Sequence, residues 1–206
     1  MAEQQVFPTK GNLINAKRML RQAQLGFELM DRKRNILIRE TVLLSDKAKE
    51  LRGTIDATFS EAYSSLQAAN IMLGVISPLT NQIPVETGVK LTYRSVMGVE
   101  LPSVTLENPA SDTPPYSLMI TNSQFDNAFV KFNRVKQISA VLAEIENSIY
   151  RLAVAIKKTQ KRANALKNIL IPRYTEQVKF ITNALEEKER EEFSRQKIIK
   201  KNKESK

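Results

Sequence analysis

The chain has 206 residues, a net charge of +10 and a pI near 9.8, with 42% apolar residues, 6% aromatics and no tryptophan. Cysteine and histidine are absent, which excludes disulfides, Cys- or His-bound metals, thiol nucleophiles and imidazole acid–base chemistry. Ala, Leu, Lys, Glu and Arg dominate both ends, a composition that points to long helices or a coiled coil.

The first twelve residues, MAEQQVFPTKGN, hold no apolar core and do not read as a secretory signal. Pro8 cannot lie in a helix interior, and Thr9 or Asn12 can cap a helix that opens behind it. From Leu13 a strict 3,4 spacing runs through Leu13, Ala16, Leu20, Ala23, Phe27, Met30, Arg34, Leu37, Thr41, Leu44, Ala48, Leu51, Ile55, Thr58, Ala62, Ser65, Ala69, Met72 and Ile76. Fifteen of these nineteen are apolar. A 3.5 period sustained this long predicts a coiled-coil seam on a helix roughly 95 Å long. Arg34 on that seam either fixes register or snorkels past the partner helix. Gly26, Gly53 and Gly74 are read as lying within this helix.

Proline divides the rest of the chain. Pro78, Pro84, Pro102, Pro109, Pro114 and Pro115 fall within 77–122, and none lies between Thr9 and Ser77. Residues 1–76 and 123–206 are therefore read as the N- and C-terminal coiled-coil helices, and 77–122 as a middle segment. In that segment Val89, Leu91 and Tyr93 alternate with Lys90, Thr92 and Arg94. This predicts strands near 89–96 and 99–106, joined by a tight turn with Gly98 in a left-handed conformation, as in a bulged hairpin. ENPASDTPPYS then reads as a loop. Such a hairpin needs the coiled coil or another protein to be stable.

The second long helix opens near Ser123, read as its N-cap. Its seam runs Val135, Ile138, Leu142, Ile145, Ile149, Leu152, Ile156, Thr159, Ala163, Leu166 and Leu170, ten of eleven apolar. The apolar residues then move to Tyr174, Val178, Ile181 and Leu185, with Pro172 at the change of register and expected to re-aim the seam by a kink. Two seams in one chain fold most simply as an antiparallel intramolecular pair; a parallel homodimer is the competing arrangement. The expected fold is mainly α, a long antiparallel two-helix coiled coil with a small β-hairpin in its middle segment.

No site of chemistry emerges. Glu186, Glu187, Glu189, Glu191 and Glu192 read as a solvated helix face with Arg190 and Arg195 within pairing distance, and no glycine loop cradles phosphate. No catalytic residue, metal or cofactor is expected, and no run approaches the roughly 18–20 apolar residues of a membrane span. Charge is uneven. Residues 123–206 carry 19 basic and 10 acidic groups, against 11 and 8 in 1–76 and 2 and 4 in 77–122. On these residues alone, a nucleic-acid-binding coiled coil and a scaffold or export-ATPase stalk both stay open.

Both termini nevertheless resemble the D subunit of the V-type (A/V-type) rotary ATPases. FPTKGNL (Phe7 to Leu13) looks like that family's Pro-Thr-basic start. GFELMDRKRNIL (Gly26 to Leu37) resembles its Gly-x-x-Leu-Leu-Lys-x-Lys-Arg-Asp pattern, with Met30, Asp31 and Asn35 as departures. TQKRANALKNILIPRY (Thr159 to Tyr174) is similar to its Arg-Arg-Val-Asn-Ala-Leu-Glu followed by Ile-Pro. Arg162, Asn164, Ala165, Leu166 and Pro172 match; Lys161, Ala163 and Lys167 depart. FITNALEEKEREEFSRQKIIK (Phe180 to Lys200) continues the likeness through Leu185, Glu187, Glu189, Arg190, Glu191, Arg195 and Lys197.

The resemblance implies a non-catalytic central rotor shaft, peripheral on the cytoplasmic face of the membrane. Its partners would be the hexamer of catalytic A and B subunits, the small F subunit of the stalk and a membrane-ring adaptor of the C/d type. It implies neither nucleic-acid binding nor membrane insertion. Hexamer contacts carry over to Phe7, Pro8, Thr9, Lys10, Arg162, Asn164, Pro172, Glu187, Arg190, Glu191, Arg195 and Lys197. The middle segment carries no family motif beyond a hairpin of the expected kind, and Val89, Leu91, Tyr93, Val99 and Leu101 on its two strands are the candidates for small-partner or hairpin contact.

Overall fold

A computed structural model describes residues 7–81, 83–107 and 114–204. Helix α1 spans Lys10–Leu73, followed by one helical turn, α2, at Ser77–Thr80. Strands β1 (Val89–Val96) and β2 (Val99–Leu106) form the hairpin, and α3 (Ser123–Ala165), a π-helical turn (Leu166–Leu170) and α4 (Ile171–Glu204) complete the order. Much of the predicted ENPASDTPPYS loop lies outside the described residues.

The ends of these elements follow from local chemistry. Thr9 caps α1, its Oγ1 accepting the Asn12 backbone N–H at 3.2 Å. Gly74 does not continue α1, contrary to the expectation from sequence. Its φ of +69° ends the helix, and its N–H bonds the Asn70 carbonyl at 2.9 Å. The cap of α3 is Asn122 rather than Ser123, since its Oδ1 accepts the Phe125 N–H at 2.9 Å. In α2, Pro78 is tolerated because the first turn needs no donor there.

The chain resolves into two compact units, one of residues 1–35 and 157–206, the other of 36–156. In the first, Lys10 pairs with Glu189 at 3.2 Å, Lys167 sits 5.8 Å from the Phe27 ring centroid, and Arg34 donates to Gln160 Oε1 at 2.9 Å. In the second, Arg52 meets Glu146 at 2.7 Å, Tyr63 lies edge-on to Phe132, and Lys131 donates to Ser65 Oγ at 2.9 Å. In both units residue numbers fall on one helix as they rise on the other, so each holds an antiparallel helix pair.

All ten buried residues of α1 (Ala16, Ala23, Leu37, Leu44, Ala48, Ile55, Thr58, Ala62, Ser65 and Ala69) lie on the predicted 3,4 track. Met72, on the same track, is 69% exposed, because α1 ends one residue later. Arg34 is half-buried, bonded across the pair to Gln160 and along its own helix to Asp31 at 2.6 Å. Two cores serve the second unit. Leu37, Leu44, Ala48, Ile145 and Leu152 surround Leu101 of β2. Ala69, Ile76 and Phe125 surround Tyr116, whose ring meets Phe125 and Phe129 edge-on.

The π-turn accounts for the change of register. From Ala163 to Leu185 the seam takes 22 residues over six steps, one more than a 3.5 spacing requires. A π-turn holds one extra residue, and here the Ile171 N–H reaches back five positions to the Leu166 carbonyl. Pro172 follows directly. Its missing donor and bulky ring fall where the α ladder is already interrupted, so the wide turn, not a proline kink alone, re-aims the seam. Ile181, the buried residue of α4, sits on the shifted track.

Candidate functional site

Two surfaces, one in each unit, carry the residues singled out from the sequence. In the first unit the feature is charge. Its residues include 22 lysines and arginines against 10 acids, whereas residues 36–156 hold 10 against 12. The whole basic excess therefore belongs to this unit. Phe7, Thr9, Lys10, Arg162, Asn164, Pro172, Glu187, Arg190, Glu191, Arg195 and Lys197 are exposed there, and Pro8 is half-buried. Several already have weak partners of their own: Lys10 with Glu189, Arg195 with Glu191 at 3.9 Å, and Asn164 accepting from Gln160 at 2.8 Å. Exposed pairs of this kind contribute about 0–1 kcal/mol each and exchange readily for others.

The seam residues lie in both units. Leu37, Leu44, Ile55, Ile145 and Leu152 are buried; Leu13, Leu20, Phe27, Met30, Leu51, Leu142, Ile149, Ile156, Leu166 and Leu170 are half-buried.

In the second unit the feature is the hairpin. Val96 faces Val99 across a two-residue turn in which Met97 (φ +52°) and Gly98 (φ +74°) are both left-handed. This is a type I′ connection without the bulge expected from the sequence; its twist matches that of the strands. Cross-strand pairing puts Val89, Leu91 and Tyr93 on one face with Leu106, Val104 and Pro102. The opposite face carries Arg94, Leu101, Val96 and Val99, and it is this face that packs on the helices. Val89, Leu91 and Tyr93 are 50%, 57% and 56% exposed. Val99 is half-buried. Leu101, grouped with these four from the sequence, is fully buried in the chain's own core and presents no surface to a partner.

Three helix side chains clamp the hairpin, and none was identified from the sequence. Glu40 of α1 pairs with Arg94 at 2.9 Å. Glu144 of α3 accepts the Val104 backbone N–H at 2.7 Å and the Ser103 hydroxyl at 3.4 Å. Arg151 donates to the Glu100 carbonyl at 3.1 Å while its guanidinium lies 5.5 Å from the Tyr93 ring centroid. On a helix surface such residues carry no periodic signal that separates them from solvated charges.

Beside the hairpin's approach, Lys136 donates to Glu86 at 2.7 Å. That bond, together with the Gly88 N–H at 2.9 Å, holds the Glu86 carboxyl below its ordinary pKa of 4.5. The pair borders a cleft of about 390 Å³ walled by Leu66, Ile83, Phe125, Phe129 and Phe132. Tyr116 is pushed above its ordinary pKa by burial and by donating its hydroxyl to Asp126 at 2.9 Å. Among the described residues no group of three acids could hold a metal ion, and no helix is long and apolar enough to cross a membrane.

A family model for the D subunit of ATP synthase matches residues 12–201. The D subunit of the V-type ATP synthase of Thermotoga neapolitana is 44% identical over 197 residues, covering 95% of this chain and 97% of the relative. The D subunits of the A-type ATP synthases of Thermococcus sibiricus and Pyrococcus horikoshii are 34% and 35% identical. They align with 95% and 94% of this chain, and with 93% and 92% of their own lengths.

Proposed function

The chain belongs to the family of ATP synthase D subunits, and from that premise we propose that it is the non-catalytic central rotor shaft of a V-type rotary ATPase. It couples ATP hydrolysis or synthesis in a catalytic hexamer to ion movement through a membrane ring. The observation that carries this is the antiparallel helix pair in each unit, with every buried residue of α1 on one track. Paired helices resist twist, as an element transmitting torque must. Neither a nucleic-acid-binding nor a scaffold role is favoured by the family match.

In this proposal the basic first unit faces the lumen of the A and B hexamer, through Phe7 to Lys10, Arg162, Asn164, Pro172 and the Glu187–Lys197 stretch. Many weak, exposed pairs let an asymmetric shaft favour a different state in each catalytic pair without locking in any one, since differential contact is what shifts such an equilibrium. The hairpin of the second unit seats the small F subunit of the stalk through Val89, Leu91, Tyr93 and Val99, and an adaptor of the C/d type joins the shaft to the ring. The chain lies on the cytoplasmic face as a peripheral component.

Isolation of the complex from native membranes through a tag on this chain tests the proposal. Recovery of the catalytic hexamer and the small stalk partner is expected, with ATP turnover that stops when an engineered cross-link ties this chain to the hexamer. Turnover unaffected by complete cross-linking would overturn it.

A further inference from the structure

The hairpin has two outer edges, and they are treated differently. Pairing of Val96 with Val99 and of Gly88 with Glu107 places Lys90, Thr92 and Arg94 in the hydrogen-bonded ladder. Residues 89, 91, 93 and 95 of β1, and 100, 102, 104 and 106 of β2, therefore turn their N–H and C=O groups outward. On β2 that edge is blocked at three of the four outward residues. Glu144 takes the Val104 N–H, Arg151 takes the Glu100 C=O, and Pro102 has no donor to offer. On β1, Val89, Leu91, Tyr93 and Ser95 have no hydrogen-bond partner for these groups among the described residues. Their side chains are exposed, three of them forming an apolar row.

An open eight-residue edge beside an apolar row is a template for another strand. We infer that β1 is a strand-addition site whose occupant is an extended segment of another protein of the complex, alternating apolar and polar residues. The apolar positions lie over Val89, Leu91 and Tyr93; the polar ones come beside Lys90 and Arg94, which already pair with Glu107 and Glu40. Charge also disfavours a second copy of this chain. The self-pairing register that engages all four outward residues is centred on Thr92 and sets Lys90 against Arg94 twice, a like-charge arrangement that destabilises cross-strand pairs. The inference deepens the proposed seat of the small stalk partner and rests on it only for the identity of the occupant.

The test is amide exchange at single-residue resolution, on the full chain alone, with the purified small partner, and within the whole complex. The outward amides of residues 89, 91, 93 and 95 are expected to slow at least tenfold with the small partner, while those of 90, 92, 94 and 96, already in the ladder, change little. Leu91→Pro removes one outward donor and leaves the β1–β2 ladder intact. It is expected to weaken binding about tenfold beyond the effect of Leu91→Ala. Tight binding of the small partner with the outer amides unprotected overturns strand addition, as does their remaining unprotected in the whole complex. Protection in the whole complex without binding of the small partner keeps strand addition and removes that protein from the seat. A dimer of the isolated chain that protects these amides overturns occupancy by another protein.

Discussion

Removing the extra residue of the π-turn tests the account of the register change. Deleting Asn168 returns the spacing from Ala163 to Leu185 to 21 residues over six steps, so Tyr174, Val178, Ile181 and Leu185 stay on the seam of an unbroken α-helix. The proline then falls in an ordinary helix interior, which costs about 3 kcal/mol. For a chain this size that is a drop of roughly 6–12 °C in Tm. Combining the deletion with Pro172→Ala removes that cost. The double variant is expected to melt within about 1 kcal/mol of Pro172→Ala alone, or roughly 2–4 °C. Deleting Lys179 instead, in the same Pro172→Ala background, turns Ile181 and Leu185 about 100° from the residues before them. Ile181 is fully buried, and its exposure alone costs about 1.5–3 kcal/mol. Melts followed by circular dichroism at 222 nm distinguish the three. If the Asn168 deletion with Pro172→Ala melts as low as the Lys179 deletion, the offset is not housed in the π-turn.

Other perturbations have comparably definite outcomes. Leu152→Ala, at a fully buried position in the core around Leu101, is expected to cost about 2–5 kcal/mol in chemical denaturation. Met97→Asn is expected to raise stability by about 1 kcal/mol, because asparagine accepts the left-handed backbone that Met97 is made to adopt. The Lys136–Glu86 bond lowers the folded pKa of Glu86. Its stabilisation is thus present above the ordinary carboxylate value of 4.5 and fades as pH falls through the lower folded one. The stability advantage of the native chain over Glu86→Gln is expected to shrink in melts taken progressively below pH 4.5.

The sequence discloses most where a single period governs many residues. Every buried position of α1 was visible in the 3,4 track, because one helix face packed on one partner leaves that signal and no other. The strands were legible to the residue, since alternation and the Met-Gly turn fix both ends. What the sequence did not disclose is the direction the hairpin faces. Val89, Leu91 and Tyr93 form the better apolar row on β1, yet Leu101, Val96 and Val99 choose the packed side through contacts with Leu37 and Leu152 far along the chain. Glu144 and Arg151 escaped notice for the same reason: their roles depend on tertiary neighbours rather than spacing. The register slip was legible, but the wide turn that absorbs it leaves no mark on sequence beyond the proline behind it.

The uneven charge has a consequence for handling the chain on its own. Twenty-two cations against ten anions leave residues 1–35 and 157–206 with a net charge of +12, which repels itself. At physiological ionic strength the field of each reaches about 8 Å, and it lengthens as salt is removed. Dilute buffer is therefore expected to loosen this helix pair, and salt, or an acidic wall around it, to tighten it. Counter-charge from the surroundings is in that sense a missing component of the fold.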